Sequence, residues 1–311
     1  MTASQHAPLT IGDLRGSRRR RQRELIIRSA FFLAAATAVL ISLLIVLTLI
    51  GEAISFITRV DPAALISGSW RPRADSYDLA SLIAGTLIIA GIAMLVAAPL
   101  GLGAAIFLAE YATPRVRRTI KPILEILAAI PSVVLGFFTL TVLSPQVIDR
   151  FCPGSTPVFN MAAAGVAVGI LITPLVASIA EDAMYAVPNS LREASYGLGA
   201  RKRMTSLRVV FPAAVSGIVA ALIVGLSRAI GETMIVALVA GGVGGAVFNL
   251  NPCLPGQTMT AAMTAQAIGS DQAAGGLAYS SLFFVGFVLF VMTLALNLIS
   301  ERFVRRIRSA Y

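Results

Sequence analysis

The sequence predicts an all-α membrane protein with six transmembrane helices, and two observations support that prediction. First, 57% of the 311 residues are hydrophobic and the mean hydropathy is +0.85, which leaves too little polar surface to cover a soluble globular domain. Second, the chain contains apolar runs long enough to cross a bilayer. They lie at about 29–57, 79–109, 119–143, 159–186, 209–242 and 279–300. The longer runs must be tilted, broken or extended beyond the bilayer.

The net charge of +10 is explained by membrane topology rather than by nucleic-acid binding. Twenty of the 25 basic residues stand before the first run, after the last, or in the two connections that follow runs two and four. The positive-inside rule then places both termini and these connections in the cytoplasm, as expected for a multi-pass protein of the inner membrane. We expect the Arg-rich cluster at 18–23 to touch anionic lipid head groups as well.

The chain divides into four predicted segments. Residues 1–24 are polar and Arg-rich and are predicted to be disordered. Residues 25–78 form the first helix and an outer loop, whose Trp70 and Tyr77 fit an interfacial aromatic belt. The first apolar run exceeds that of a cleaved signal peptide, so we expect a retained span. Residues 79–303 form a five-helix domain, and residues 304–311 a cytoplasmic tail.

A charged stretch between runs four and five predicts a short amphipathic helix at about 189–204. Ser190 is suited to cap its start, and Gly199 is placed to end it. Pro212 fits the first turn of the next helix. A short helix that projects from a membrane domain offers a surface on which a soluble partner can push, although an ordinary amphipathic surface helix is the alternative.

The same stretch resembles the EAA loop of ABC-importer permeases. The residues that carry the resemblance are Glu193, Ala194, Ser195, Gly199, Val209, Phe211 and Pro212. The departures from the family pattern are Ser195 for the second Ala, Val209 for Ile and Phe211 for Leu. The resemblance implies a type I ABC-importer permease fold, with a cytoplasmic coupling helix that sits in a groove of a separate ATPase.

The third run contains a proline that predicts a kink or a cavity-facing segment. Pro131 leaves a backbone carbonyl without its helical partner, and Ser132 follows it. The segment 130–138, Ile-Pro-Ser-Val-Val-Leu-Gly-Phe-Phe, resembles phosphate-importer permeases, as does Phe107–Tyr111 at the end of run two. A kink used only for helix packing is the alternative interpretation.

The fifth run carries Arg228 and Glu232, which are four residues apart and would share one face of a continuous helix. Arg228 would lie about 24 Å beyond Pro212 along the helix axis, well inside the bilayer. An unpaired Arg at that depth costs roughly 2.5 kcal/mol, so we expect contact with a charged passenger or a gate. The planar guanidinium suits an oxyanion. An internal ion pair that fixes helix packing is the alternative.

The segment 227–234, Ser-Arg-Ala-Ile-Gly-Glu-Thr-Met, also resembles phosphate-specific permeases, and Thr233-Met234 favours the PstC-type subunit over its PstA-type sister. The resemblance implies that Arg228, Glu232, Thr233, Pro131 and Ser132 line a translocation pathway or gate. It implies four kinds of partner outside this chain: a PstA-type permease, two ATPase subunits that bind ATP and Mg²⁺, an extracytoplasmic phosphate-binding protein, and phosphate as passenger.

The chain carries no motif for catalysis or for a cofactor of its own. The glycines at 241–245 are not followed by the Lys-Ser/Thr of a phosphate-binding loop. His6 is the only histidine, so we expect no structural metal site. Cys152 and Cys253 both fall in outer loops, where a disulfide and two unpaired thiols are equally compatible with the sequence. We therefore predict a non-catalytic membrane subunit.

Two other functions remain compatible with parts of the sequence. One is a permease for another oxyanion, such as molybdate, sulfate or phosphonate, which would share the coupling helix. The other is an ion-coupled secondary transporter or channel in which Arg228 and Glu232 act as a relay. The coupling helix argues against the second, and we find no inverted repeat of the kind such carriers often show.

Overall fold

The computed structural model describes residues 18–152, 158–241, 245–268 and 276–308. Within these ranges it contains five helices long and apolar enough to cross a membrane, or six if one bent pair counts as a single span. The chain separates into two compact units, Met1–Gly51 and Glu52–Tyr311. The predicted all-α membrane architecture with about six spans is thereby confirmed.

In the first unit, the described chain is helical throughout. Helix α1 runs over Arg18–Arg59, so it continues into the second unit. The prediction of disorder for residues 1–24 is wrong for residues 18–24, which form the first turns of α1. Arg and Gln are good helix formers, and here they extend a helix that the following apolar run already forms. Residues 1–17 lie outside the described part of the chain.

The second unit contains long apolar helices and shorter connecting ones. The long helices are α2 (Leu79–Ile106, prolonged by a π-helical turn at Phe107–Tyr111), α6 (Met161–Tyr185), α10 (Val215–Ile230) and α13 (Leu277–Arg308). The shorter ones are α3 (Pro114–Ala128), α4 (Ser132–Phe138), α5 (Asp149–Phe151), α7 (Asn189–Gly197), α8 (Lys202–Thr205), α9 (Phe211–Ala213), α11 (Met234–Val239) and α12 (Met259–Ile268). π-Helical segments at Thr139–Ile148 and Ser206–Val210 join α4 to α5 and α8 to α9.

The predicted third span, 119–143, has the wrong boundaries. The structure divides it into the amphipathic helix α3 and a separate apolar stretch, Ser132–Phe151, that is long enough to cross the membrane. The break lies at Pro131, because proline has no N–H to donate and disfavours a helical conformation in the residue before it. Hydropathy alone merged the apolar side of α3 with the true span.

The predicted fifth span, 209–242, is not one helix. The segment Lys202–Ala213 meets Val215–Ile230 at an angle of 71°, and a second break at residues 231–233 separates α10 from α11. The other four predicted runs lie largely within α1, α2, α6 and α13, as expected.

Helices α2 and α6 form the centre of the second unit because glycines let their backbones approach. A Cβ placed on Gly165 would lie 2.7 Å from Ile92 Cβ, and one on Gly169 would lie 2.7 Å from Val96 Cβ. Gly165 and Gly169 thus form a close-packing face on α6 whose partner is α2.

A small three-stranded sheet stands in the loops between the long helices. Its strands are β1 (Ser69–Arg71), β2 (Ser76–Tyr77) and β3 (Ala246–Val247), in the order β2-β1-β3 and antiparallel. Trp70 and Tyr77 pair across β1 and β2 and are 2% and 0% exposed. The aromatic-belt prediction for these two residues is therefore wrong, since they pack into a core with Phe56 and Phe284 instead.

Candidate functional site

Helix α7 is the predicted coupling helix, and its two ends are set by backbone geometry. It starts directly after Pro188, so the predicted capping role of Ser190 is wrong; Ser190 is the second residue of the helix. The predicted extent of about 189–204 is too long, because α7 ends at Gly197 and α8 begins separately at Lys202, but Gly199 marks the end as predicted. Gly199 adopts φ +77°, and its N–H donates to Tyr196 O at 2.9 Å. A residue without Cβ adopts this left-handed conformation without steric cost.

The chain after α7 turns back on it to form a hairpin. Ser195 Oγ and Thr205 Oγ1 are 2.9 Å apart and hydrogen-bonded, and Thr205 is fully buried. Pro212 occupies the first turn of α9, as predicted. Of the residues that carry the family pattern, Glu193 and Ala194 are exposed on α7.

The outer side of this hairpin presents apolar side chains to its surroundings. Leu198 is 90% exposed, and Leu191 and Tyr196 are both 43% exposed. Exposed apolar residues grouped on a short projecting helix are typical of a protein–protein contact. The docking role of α7 stays a prediction.

A buried ion pair that sequence analysis did not predict holds α7 to the rest of the unit. Arg192 donates from Nε and Nη2 to Glu110 Oε1 at 3.1 and 2.8 Å. Its Nη2 also reaches Met184 O at 2.9 Å, and its Nη1 reaches Val187 O at 2.5 Å. The Glu110 side chain is only 3% exposed. The two partners are 82 residues apart, so no local spacing could have indicated the pair.

A second buried carboxylate fastens α3 to the C-terminal end of α6. Glu181 is fully buried and forms salt bridges with Arg117 at 2.5 Å and Lys121 at 2.9 Å. Lys121 also contacts Asp182 at 2.5 Å. Burial lowers the pKa of Lys121, but its hydrogen bonds to Asp182 and Glu181 outweigh burial, so the net shift is upward.

The predicted alignment of Arg228 and Glu232 on one helix face is wrong. Helix α10 ends at Ile230, and Glu232 lies in the break that follows. Glu232 Oε1 accepts the N–H groups of Met234 at 3.2 Å and Ile235 at 3.3 Å, so its carboxylate caps α11. Arg228 is exposed in the last turn of α10 and forms no ion pair among the described residues.

Two of the predicted pathway segments lie at the starts of helices that pack together. Pro131 and Ser132 begin α4, while Glu232 and Thr233 precede α11. The two helices touch at Gly136, where a Cβ would lie 3.0 Å from Leu238 Cδ1. The N–H groups of Met234 and Ile235, at the start of α11, already donate to the Glu232 carboxylate. The breaks on two neighbouring helices therefore offer polar groups in an otherwise apolar region.

Two loops that were predicted to lie outside are cross-linked by a disulfide. The structure joins Cys152, at the end of α5, to Cys253 in the loop before α12, with their Cα atoms 5.7 Å apart. Among the residues that the structure describes, no group of three or more His, Cys, Asp and Glu side chains is placed to hold a metal ion.

Comparison with known proteins identifies the family. The sequence model of the binding-protein-dependent transport system inner membrane component family matches residues 97–309. The chain belongs to this family. It is thus a multi-pass inner-membrane component of a transport system, as its apolar helices indicate.

Individual relatives agree with that assignment. The chain is 34% identical over 261 residues to the phosphate transport system permease protein PstC of Xylella fastidiosa, covering 78% of each chain. It is 33% identical over 288 residues to the Haemophilus influenzae protein of the same name, covering 87% of this chain and 89% of that one. A probable ABC transporter permease protein of Bacillus subtilis, YqgH, is 34% identical over 231 residues and covers 74% and 73%.

Solved structures share the fold. A bacterial ABC transporter involved in the import of the acidic polysaccharide alginate aligns with a TM-score of 0.63 and 16% identity, covering 92% of this chain and 99% of that one. The MetNI methionine ABC transporter in an inward-facing conformation aligns with a TM-score of 0.55 and 19% identity, covering 73% and 96%. The type I ABC-importer permease fold predicted from the sequence is confirmed.

Proposed function

We propose that this permease is the PstC-type subunit of an ATP-driven importer of inorganic phosphate and forms half of the translocation pathway. The observation that carries the proposal is Arg228, exposed at a helix break with no ion pair among the described residues. Curated relatives that are similar over most of their length are named phosphate permeases. Phosphate is therefore the passenger that we expect this arginine to contact.

The chemistry of the break suits an oxyanion. The guanidinium of Arg228 can donate two parallel hydrogen bonds to phosphate oxygens, a geometry that a lysine ammonium cannot reproduce. The carboxylate of Glu232 is already engaged with the N–H groups at the start of α11. Glu232 therefore fixes the shape of the break, and its negative charge would oppose the entry of more highly charged anions. Thr233, Pro131 and Ser132 complete the proposed lining.

The remaining subunits supply what this chain lacks. We propose a PstA-type permease beside it, an extracytoplasmic phosphate-binding protein, and two ATPase subunits that hold ATP and Mg²⁺ and grip α7 at Glu193, Ala194 and Ser195. Both termini then lie in the cytoplasm. ATP-driven closure of the ATPases displaces α7, and the spans alternate between outward and inward access. This chain itself catalyses no reaction.

Uptake by the reconstituted complex tests the pathway role. We expect Arg228→Ala to lower ATP-dependent phosphate uptake by about tenfold or more, since a hydrogen bond to a charged group contributes about 1.5–3 kcal/mol. Arg228→Lys should recover part of the loss. Arg150→Ala removes an exposed arginine from α5 and serves as the control. Undiminished uptake by Arg228→Ala, with ATP hydrolysis intact, would refute the pathway role.

The same vesicles discriminate the rival functions. Phosphate uptake should resist an excess of sulfate, molybdate or phosphonate, whereas preferential uptake of one of these anions would assign the permease to that anion. Uptake by this chain alone, without nucleotide or ATPase subunits, would instead indicate a secondary transporter or channel.

A further inference from the structure

We infer that Glu110 and Arg192 are positioning residues that tie the coupling helix to the inner ends of both α2 and α6, so that one displacement moves two spans. This inference rests on the proposed function, because it assumes that an ATPase displaces α7. Covalently, α7 follows α6 through residues 186–188. Helix α7 is linked to α2 through side chains, and Glu110 is the residue at the end of α2 that makes the link.

The Glu110 carboxylate lies against both arms of the coupling hairpin. Its Oε1 accepts two hydrogen bonds from Arg192 on α7. Its Oε2 lies 3.4 Å from Ser206 Oγ, which belongs to the returning arm after α8. Glu110 itself lies in the π-helical turn at the end of α2. Ser206 Oγ donates its proton to Lys202 O at 2.9 Å, so Arg192 makes the bonded attachment to α2 and Ser206 packs beside the same carboxylate.

Arg192 extends the same anchor to α6. Its guanidinium donates to the carbonyl oxygens of Met184 and Val187 at the end of that helix. These carbonyls belong to the last turn and the residues beyond it, where intrahelical donors are lacking. A cation there is also favoured by the helix dipole. A single planar group thus bonds α7, α6 and α2 at once, with Asn189 Oδ1 as a further acceptor at 3.3 Å.

The burial of this pair argues that it does more than add stability. The Arg192 and Glu110 side chains are 14% and 3% exposed. A buried ion pair is often no more stabilising than apolar residues of the same volume, but removal of one partner leaves an uncompensated charge. What the pair supplies is a fixed geometry between three elements. Since α2 and α6 are themselves in close contact at Gly165 and Gly169, a displacement of α7 is delivered to both helices together.

The ratio of phosphate transported to ATP hydrolysed tests this inference. The variants are Glu110→Gln, which removes the charge, and Arg192→Lys, which keeps the charge but loses the fork of donors. The controls make the same chemical changes at exposed positions of α3: Glu125→Gln and Arg118→Lys. Each complex is reconstituted in vesicles, and co-purification of the ATPase subunits is measured in parallel.

We expect Glu110→Gln to keep the ATPase bound and hydrolysing while phosphate moved per ATP falls about tenfold or more, and Arg192→Lys to show a smaller loss.

A merely structural pair would change the amount of complex but leave that ratio at the control value, which would overturn the inference. If the Glu110→Gln subunit fails to assemble with the ATPase, the phosphate moved per ATP by the Arg192→Lys complex tests the inference. If neither assembles with the ATPase, the pair belongs to folding and the inference is likewise overturned. Failure of the wild-type and control complexes to take up phosphate would refute the proposed function instead.

Discussion

The contact between α2 and α6 makes a sharp prediction about one methyl group. At Gly169, an added Cβ would lie 2.7 Å from Val96 Cβ and 2.8 Å from Ala93 O. To reach the 3.4 Å of ordinary contact, the two helices would have to separate locally by about 0.7 Å. One of the obstructing atoms is backbone, so a change of rotamer cannot relieve the clash. We therefore expect Gly169→Ala to destabilise the isolated subunit.

The magnitude follows from two opposed effects. Replacing Gly by Ala inside a helix stabilises it by roughly 0.5–1 kcal/mol, whereas overpacking a close contact costs typically 1–3 kcal/mol. Gly103, in the same pair of helices, has nothing within 4 Å of its Cβ position. Gly103→Ala therefore experiences only the first effect. The free energies of unfolding of the two variants should differ by about 1–3 kcal/mol, with Gly169→Ala the less stable.

Reversible unfolding in mixed micelles, followed by circular dichroism, measures this difference. The subunit is studied alone, so that a partner permease cannot cover Gly103. Gly165→Ala should behave like Gly169→Ala, because its Cβ would lie 2.7 Å from Ile92 Cβ. Equal stabilities of Gly169→Ala and Gly103→Ala would show that the helices separate at no cost, and would refute the rigid α2–α6 pair.

Three further predictions concern the loops. A thiol-reactive mass tag should label the unreduced protein at neither Cys152 nor Cys253 and the reduced protein at both; labelling before reduction would contradict the disulfide. Burial, aided by a neighbouring carboxylate, raises the pKa of Tyr77 from 10.0 to about 12, so the folded state favours the neutral phenol. The stability that this pKa shift contributes is complete below pH 10 and is lost as the pH rises towards 12. In Tyr77→Phe, the free energy of unfolding should therefore fall less steeply with pH in this range. An unchanged slope would contradict the raised pKa of Tyr77. Finally, Gly199→Ala should cost about 1–2 kcal/mol of stability, because Gly199 has a left-handed backbone conformation. Gly197→Ala should not, since the space around its Cβ position is open. Equal losses in the two variants would argue against the end of α7 described above.

The helices that could be predicted from sequence are those whose apolar run has clear polar ends. Helix α6 follows Asn160, whose side chain accepts the N–H of Ala163, and its observed bounds lie within a few residues of the predicted ones. The third run failed because α3 is amphipathic, so its apolar side extended the hydropathy signal backwards from Ser132. Pro131 marked the true boundary in the sequence. A local backbone rule was more informative there than average hydropathy.

The candidate site shows the same division between local and tertiary information. The termination of α7 just before Gly199 was predictable, because the left-handed backbone conformation depends on that one residue. The pairing of Arg228 with Glu232 was not, since a spacing of four brings side chains together only if the helix continues through Gly231. The pair of Glu110 and Arg192 depends on how α2, α6 and α7 pack. Neither residue stands in a spacing that suggests the other.

The contrast between the arginines of this permease argues for a pathway role of Arg228. At the C-terminal ends of α2 and α6, Arg192 is paired with Glu110 and Arg117 with Glu181, and both carboxylates are almost fully buried. The chain therefore supplies a buried carboxylate where an arginine fixes the packing of helices. Four residues after Arg228 in the sequence, the carboxylate of Glu232 bonds the start of α11 instead. An arginine used only for packing would have taken that partner, so the internal ion pair is the weaker explanation of Arg228 and a charged passenger the stronger one.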